Sequence, residues 1–180
     1  VIPTDTISIS IDKDAVLRSG IMLPDSIRHL KGEDLKNAIP DKIYISLKDM
    51  RILTKVDMLM LEMLANCNWE RPLYMAISVG EVSKLKFDHY FVQEGLAFRF
   101  TPFDYKKWGN VKGDNNYAID VERLYENVMN RYKYGGLDTP GLYLDETTLR
   151  TCYYHRRLFA QLAKELIRQG DNTRARKVLA

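Results

Sequence analysis

The stretch KIYISLKDMRILTKVDMLMLEMLANCNWERPLYMAISV, residues 42–79, decides the fold class of this chain. Residues 42–47 (KIYISL) read as a strand. Thr54, with an acidic residue three positions later, forms a capping box that predicts a helix reaching about Cys67. Residues 73–79 are a near-continuous apolar run, typical of a central strand. A strand, a helix and a strand in this order predict a βαβ unit with two parallel strands in one sheet.

The helix of this unit is apolar around most of its circumference. Its apolar side chains are Val56, Leu59, Met60, Leu61, Met63, Leu64 and Cys67. A helix that is apolar all round is normally buried, so we expect this one to be covered on two sides.

Further strands are predicted on both sides of this unit. Residues 6–11 (TISISI) alternate as a strand, and Asp12 is placed to cap a short helix after it. Residues 20–41 read as irregular. Residues 88–94 favour a short helix, and residues 96–103 an alternating strand. We therefore expect residues 1–104 to form a small α/β sheet domain.

The rest of the chain is predicted to be helical. Residues 105–117 read as a linker or loop, and residues 118–180 as a helical segment. Asp120 and Asp145 are placed to cap two helices, the second reaching about Gln169. The fold class predicted for the whole chain is therefore α/β, followed by an all-helical C-terminal segment.

The spacing of apolar and small residues near the C-terminus is typical of a tetratricopeptide repeat. Counted from Arg156, the matching positions are Phe159, Leu162, Ala163, Leu166, Gly170, Ala175 and Leu179. Any amphipathic helical hairpin with a glycine turn would match several of them. The match ends roughly nine residues short of the ~34 that a repeat needs. We therefore expect an incomplete tetratricopeptide-like helix pair from about residue 146, in a fragment of a longer protein.

Two residues of this long helix are candidates for binding. Arg156 falls within an apolar arc of the helical wheel, where a guanidinium group must be paired or must reach solvent. An ion pair with Asp145 or Glu146 and a contact with an anionic ligand are both open interpretations. His155 lies at the flank of the arc, where a packed surface-edge histidine is favoured over a catalytic one.

The loop around Trp69 supplies the other candidates. Trp69, Glu70 and Arg71 lie between the predicted helix and the strand that follows, and Trp108 lies in the later loop. Because ligands of open α/β sheets favour the opposite ends of the strands, a structural corner is the favoured interpretation. Sugar stacking on the two tryptophans is the alternative.

Composition argues against several classes of function. The net charge is 27 − 24 = +3 and is spread along the chain, which argues against nucleic acid as a partner. Cys67 and Cys152 are too few for a disulfide framework or a zinc site. No phosphate-binding loop, paired metal-ligand motif or nucleophile elbow occurs in the sequence. The sequence therefore predicts no catalytic residue, no metal and no cofactor.

Three longer stretches together resemble one protein family. They are NCNWERPLYMAISVG (66–80), YFVQEGLAFRFTPF (90–103) and NRYKYGGLDTPGLYLDETTLRTCYYHRRLFAQLAKELIRQGD (130–171). They resemble the C-terminal part of the domain-of-unknown-function 2723 family, multispan membrane proteins of Bacteroidetes type that are related to protein O-mannosyltransferases. The resemblance implies a soluble region on the periplasmic side of the inner membrane, attached to membrane-embedded segments that this chain does not contain.

The resemblance places the acidic catalytic residue of such transferases in the membrane-embedded part, so no catalytic residue carries over to this chain. We therefore expect a non-catalytic accessory domain of a glycosyltransferase-like protein, which binds a protein or peptide acceptor or a glycan, or scaffolds a complex. A carbohydrate-binding module built on exposed Trp and Tyr side chains is the alternative. An independent enzyme is the least favoured possibility.

Overall fold

The computed structural model of the chain describes residues 5–48, 50, 52–79, 85, 88–111, 117–137 and 139–180. They belong to two compact units. The N-terminal unit is Val1–Val92 with Phe98–Ala118, and the C-terminal unit is Gln93–Ala97 with Ile119–Ala180. Among the described residues, no helix has both the length and the apolar character needed to span a membrane. The domain limits read from composition, at residues 104 and 118, stay a prediction.

The chain folds into small sheets and several helices, with a helical stretch at its C-terminal end, so the broad α/β prediction holds. The strands are β1 (Thr6–Ser10), β2 (Lys42–Ser46), β3 (Tyr74–Ala76), β4 (Phe91–Gln93), β5 (Ala97–Phe100) and β6 (Ala118–Ile119). The helices are α1 (Lys13–Arg18), α2 (Gly32–Ala38), α3 (Lys55–Asn66), α4 (Val121–Glu126), α5 (Glu146–Arg168) and α6 (Asn172–Leu179).

The predicted βαβ unit is wrong, although its two strands and its helix are present. β2 pairs with β1 in a separate two-stranded antiparallel sheet, in which Ile9 lies opposite Ile43. β3 belongs to the other sheet. In the β1–β2 register the isoleucines of both strands share one buried face, so this pairing buries the apolar side of each strand at once.

The second sheet has the strand order β3-β5-β4-β6, so β3 is an edge strand and not the central strand predicted for residues 73–79. The helix predicted over residues 88–94 is also wrong: one 3₁₀ turn, Asp88–Tyr90, leads directly into β4. The N–H of Glu94 donates to the carbonyl of Ala97 (3.1 Å), and that of Thr101 to the carbonyl of Tyr90 (3.0 Å). β4 and β5 therefore form a β-hairpin.

The core of the N-terminal unit lies between these sheets and the short helices. Asp12 caps α1 as predicted, accepting the N–H of Ala15 at 2.9 Å. Tyr105 lies in the predicted linker, yet it is completely buried, and its hydroxyl donates to the carbonyl of Met22. Residues 112–116 of this linker lie outside the described residues. α2 lies in the stretch predicted to be irregular, because it has neither a side-chain cap bond nor a buried residue that would mark it in the sequence.

The capping box of α3 is confirmed, but its predicted burial on two sides is wrong. Thr54 accepts the N–H of Asp57 (3.2 Å), and the Asp57 carboxylate accepts the N–H of Thr54 (2.9 Å). Of this fully described helix, Asp57 and Leu64 are buried. Met58 is 60% exposed and Leu59 63% exposed. An apolar surface on α3 is thus open in the described structure.

In the C-terminal unit, α4 begins at its predicted cap Asp120 and continues as a π-helical turn, Asn127–Arg131. This turn ends with the N–H of Tyr132 donating to the carbonyl of Asn127 at 2.8 Å. α5 begins at its predicted cap Asp145 and packs against α6. The helical hairpin is therefore present, whereas its assignment as a tetratricopeptide repeat stays a prediction.

Candidate functional site

An open cleft in the N-terminal unit lies between β1 and α3 and has a volume of about 700 Å³. Residues Ile7–Ser10 of β1 form one wall, and one face of α3 forms the other. The lining residues are Ile7, Ser8, Ile9, Ser10, Ile11, Asp12, Leu53, Met58, Leu61, Glu62, Ala65, Asn68 and Trp69. The cleft is large enough for a short peptide segment or a small molecule.

The wall formed by β1 is a strand edge. The N–H of Ile11 donates to Asp41 (2.9 Å) and that of Leu47 to Asp5 (2.8 Å), so odd-numbered residues of this strand exchange hydrogen bonds with the β2 side. In an antiparallel pair every second residue, here each even-numbered residue of β1, points its backbone N–H and C=O away from the partner strand. The N–H and C=O groups of Ser8 therefore point away from β2, and no partner for them is found among the described residues.

The wall formed by α3 is a stripe of four residues, Met58, Leu61, Glu62 and Ala65. Their spacing of three, four and seven residues places them on one face of the helix. The capping box at Thr54 fixes where the helix starts and therefore which residues turn toward β1. The stripe is mainly apolar and carries one carboxylate.

Trp69 closes one end of the cleft. Asn68 and Trp69 both adopt left-handed backbone conformations, with φ of 48° and 60°, which turn the chain sharply after α3. The indole N–H donates to the carbonyl of Ser10 at 2.9 Å, and the ring stacks on Phe100 with centroids 5.9 Å apart. The side chain is 5% exposed. Trp69 is thus a core residue at a structural corner, and its ring offers no open face for sugar stacking.

The other candidates near this corner do not line the cleft. Glu70 is exposed and lies 3.6 Å from the guanidinium of Arg18. Arg71 is also exposed. Trp108 is half-buried and packs edge-on against Phe103, with centroids 6.2 Å apart. The structure therefore does not bring Trp69 and Trp108 together as one aromatic platform in that cleft.

His155 and Arg156 lie on α5 in the C-terminal unit. The His155 ring packs edge-on against Tyr134 (5.4 Å) and Tyr132 (6.3 Å), and its buried Nδ1 has no hydrogen-bond partner among the described residues. This environment matches the packed histidine favoured from the sequence. The Tyr134 hydroxyl donates to the carbonyl of Val128 at 2.7 Å, which fixes the ring against which His155 lies.

The expectation that Arg156 sits in a buried apolar arc is wrong, because its side chain is exposed. The buried face of α5 is instead formed by Leu158, Leu162, Ala163 and Leu166, together with Glu165. The two carboxylates proposed as partners are engaged elsewhere: Glu146 with Arg150 at 2.7 Å, and Asp145 with the start of the helix. No ion pair of Arg156 is found within the described part of the chain.

Sequence reasoning missed the cleft and its main residues, Ser8, Ser10, Met58, Leu61 and Glu62. The alternation of residues 6–11 shows which side chains share a face, but the free edge of β1 depends on which strand it pairs with. In chemical terms the cleft offers backbone donors and acceptors, apolar side chains and two carboxylates. No group of three or more His, Cys, Asp or Glu side chains that could hold a metal occurs among the described residues.

Comparison with known proteins identifies a family for the chain. The family model TMEM260-associated domain 2 matches residues 1–122, more than half of the 180 residues, so the chain belongs to this family of membrane-protein-associated domains. No curated protein and no solved structure matches it. The link to membrane proteins agrees with the resemblance seen in the sequence, whereas the domain-of-unknown-function 2723 assignment stays a prediction.

Proposed function

We propose that this TMEM260-associated domain is a non-catalytic accessory domain that binds an extended segment of a protein partner along the edge of β1 at Ser8. The observation that carries the proposal is that this edge, with its outward-pointing Ser8 backbone groups, lines an open cleft of about 700 Å³. Exposed strand edges are a common docking site for extended peptides, whose main chain adds to the sheet as a further strand.

The dimensions of the cleft set the length of the bound segment. β1 has five residues, and a strand rises about 3.3 Å per residue, so its edge is roughly 17 Å long. The indole N–H of Trp69 already donates to the carbonyl of Ser10, so that end of the strand edge is closed to a partner. A bound segment of about three residues fits Ile7–Ile9, the part of β1 that lines the cleft before Ser10.

The α3 wall supplies apolar contacts for the same segment. Alternate side chains of a bound strand point to opposite faces, so one set of them would face Met58, Leu61 and Leu53. Methionine is flexible and polarisable, and it suits surfaces that accept more than one apolar partner. Backbone pairing with β1 would give affinity, and the α3 side chains would select apolar residues.

We further propose that the parent protein is a membrane-embedded glycosyltransferase-like protein of the domain-of-unknown-function 2723 type, with this domain on the periplasmic side. The support is the membership of a membrane-protein-associated family and the sequence resemblance described above. In such a parent the domain would hold a protein acceptor near a catalytic centre located in other segments. The α5–α6 hairpin, taken as the start of a tetratricopeptide-like array, would offer a second surface for protein partners.

Proline substitution at the cleft tests the proposal. Ser8→Pro removes the outward N–H and adds a ring at the open edge, while the ladder to β2 stays intact. Tyr44→Pro is the matched control, because Tyr44 lies directly opposite Ser8 and points its backbone groups to the other side of the same sheet. The probe is a peptide of alternating Val and Thr, titrated into the 180-residue chain and followed by calorimetry.

We expect Ser8→Pro to weaken binding of the probe about tenfold, the effect of losing a hydrogen bond of about 1 kcal/mol together with close contact at the edge. Tyr44→Pro should leave the affinity unchanged. Circular dichroism of both variants checks that they fold alike. Equal loss in the two variants, or no binding of the probe by the unmodified chain, would overturn the proposal.

A further inference from the structure

The charge of the β1–α3 cleft differs in sign from that of the chain as a whole. The chain carries a net charge of +3. Among the described residues that line the cleft there are two carboxylates, Asp12 and Glu62, and no Lys, Arg or His. The net positive charge of the chain would attract an acidic ligand. The carboxylates of the cleft would instead attract a basic one.

The two carboxylates are held by neutral donors. Asp12 accepts the backbone N–H of Ala15 at 2.9 Å, and Glu62 accepts the side-chain amide of Asn66 at 2.8 Å. The cation next to Asp12 in the chain, Lys13, is paired with Asp41 at 2.8 Å. A second cation, Lys36, is paired with Asp14 at 2.8 Å and is also attracted by Asp12. For Glu62 no ion pair is found among the described residues. A hydrogen bond from a neutral group orients a carboxylate without cancelling its charge, so the charge of Glu62 remains available to an incoming cation.

We infer that the segment bound along β1 carries a Lys or Arg side chain beside its apolar residues, placed to meet Glu62. Asp12, beyond the end of the edge that Trp69 closes, adds to the negative charge of the cleft. This inference rests on the proposed function, since it assigns the charge of the partner that the cleft accepts. The apolar side chains of the segment face Met58 and Leu61, and its cation meets the Glu62 carboxylate on the same wall of the cleft. Acidic segments are disfavoured by repulsion in this position.

Two probe peptides separate this local charge from the net charge of the chain. Both have the alternating Val and Thr core, one with Lys at each end and the other with Glu at each end. We expect the Lys peptide to bind several-fold more tightly to the 180-residue chain at low salt. The difference should shrink as ionic strength rises, because charges at the rim are open to screening.

The variant Glu62→Gln tests whether the preference for the Lys peptide arises in the cleft. The substituted amide keeps an oxygen for Asn66 and removes the charge, so the advantage of the Lys peptide should fall by about two- to fivefold, as expected for an exposed ion pair. Glu33→Gln is the matched control: it makes the same change of charge on α2, outside the cleft, and should leave the advantage unchanged.

The outcomes distinguish this inference from the proposed function. Equal affinity for the two peptides, a preference for the Glu peptide, or the same response to Glu33→Gln and Glu62→Gln would overturn the charge assignment. If Ser8→Pro still weakens binding in those cases, the strand-edge function stands without it. If neither peptide binds, both the function and the charge assignment are overturned.

Discussion

The two longest helices, α3 and α5, differ in how much of their apolar surface is buried. On α5 the buried face includes Leu158, Leu162 and Leu166, and α6 packs against this helix. On α3, which is described in full, Leu64 is the single buried apolar residue, while Met58, Leu59 and Met63 are more than half exposed. The helix with the larger fraction of apolar residues is therefore the one that leaves most of them exposed.

The difference shows that apolar content alone does not predict whether a helix is covered. α5 is charged on its outer side and has a packing partner that follows it in the chain. α3 is bordered by a cleft instead of a second helix along the stripe that includes Met58. Contiguous exposed apolar surface of this kind is typical of interaction sites, and that is why α3, not α5, forms a wall of the proposed binding cleft.

Truncating one leucine on each helix gives the largest test of this comparison. Leu162 is completely buried, so Leu162→Ala should lower the free energy of unfolding by about 2–5 kcal/mol. Leu59 is 63% exposed, and Leu59→Ala should change it by less than about 0.5 kcal/mol. Urea denaturation followed by circular dichroism measures both. A comparable loss for Leu59 would show that the outer side of α3 is packed.

Two glycines test how tightly each unit constrains its backbone. Gly95 has φ of 154°, and a β-carbon there would collide with the hydroxyl of Tyr132, which accepts the N–H of Leu96 at 3.0 Å. Gly95→Ala should therefore lower the free energy of unfolding by about 1–3 kcal/mol. Gly109 has φ of 74° but open space around it, so Gly109→Ala should have the smaller effect, set by backbone strain alone. Thermal unfolding of the two variants measures both effects, and a larger loss of stability in Gly109→Ala than in Gly95→Ala would contradict the prediction.

Removing the cap of α3 should have an intermediate effect. Thr54→Ala deletes the oxygen that accepts the N–H of Asp57, and it should lower the free energy of unfolding by about 1 kcal/mol. Thr54→Ser keeps the oxygen and serves as the control. If α3 needs its cap to present the cleft, Thr54→Ala should also weaken binding of the probe peptide. Unchanged stability in Thr54→Ala would show that tertiary contacts, and not the cap, hold the start of α3.

The smallest expected effect is in the C-terminal unit and depends on pH. Arg174 of α6 contacts Glu122 of α4 at 2.7 Å and Asp171 at 2.5 Å. The hydrogen bond from the Arg174 side chain lowers the pKa of Glu122, and hydrogen bonds from the backbone and side chain of Arg174 lower the pKa of Asp171. A carboxyl group with a lowered pKa stabilises the folded state above its unfolded pKa, and loses this contribution as pH falls through the folded value.

Arg174→Gln should therefore lower the free energy of unfolding at neutral pH by less than about 1 kcal/mol, because the Glu122 carboxylate is largely exposed to solvent. The difference from the unmodified chain should disappear as pH falls below the usual carboxyl pKa of about 4. Unfolding curves recorded across this range measure it. Arg150→Gln, at a largely exposed pair within α5, is the control and should change stability less. A difference that persists in acid would assign the effect to packing on Tyr125, over whose ring Arg174 lies.

The helix starts could be predicted from the sequence because they depend on close neighbours. Asp12, Thr54, Asp120 and Asp145 each accept a backbone N–H two or three residues ahead, as predicted. The bonds form within a single turn, so the residues that make them are adjacent in the sequence. The pairing of β2 is different, because it depends on a partner more than thirty residues away.

The face of α5 shows a second limit. The apolar side of α5 is broad: the part with Leu158, Leu162 and Leu166 is buried, and the part beside Arg156 carries the exposed Leu149 and Ile167. The helical period cannot choose between them, since the choice depends on what packs there, including the buried Ala175 and Val178 of α6. For the same reason the sequence alone leaves sugar stacking open for Trp69, because it does not show that the ring packs in the core.

The π-helical turn Asn127–Arg131 has a consequence for chain length. Such a turn contains one residue more than an α-helical turn. Deleting one residue from it would restore regular spacing but rotate every later side chain by about 100° around the axis. Tyr132 follows the turn whereas Asn127 begins it, so the Tyr132 hydroxyl would move away from Leu96 while the Asn127 amide stayed on the carbonyl of Glu94. The number of residues between Asp120 and Tyr132 is therefore fixed, and a related chain that is shorter here would need a different way to anchor its β4–β5 turn.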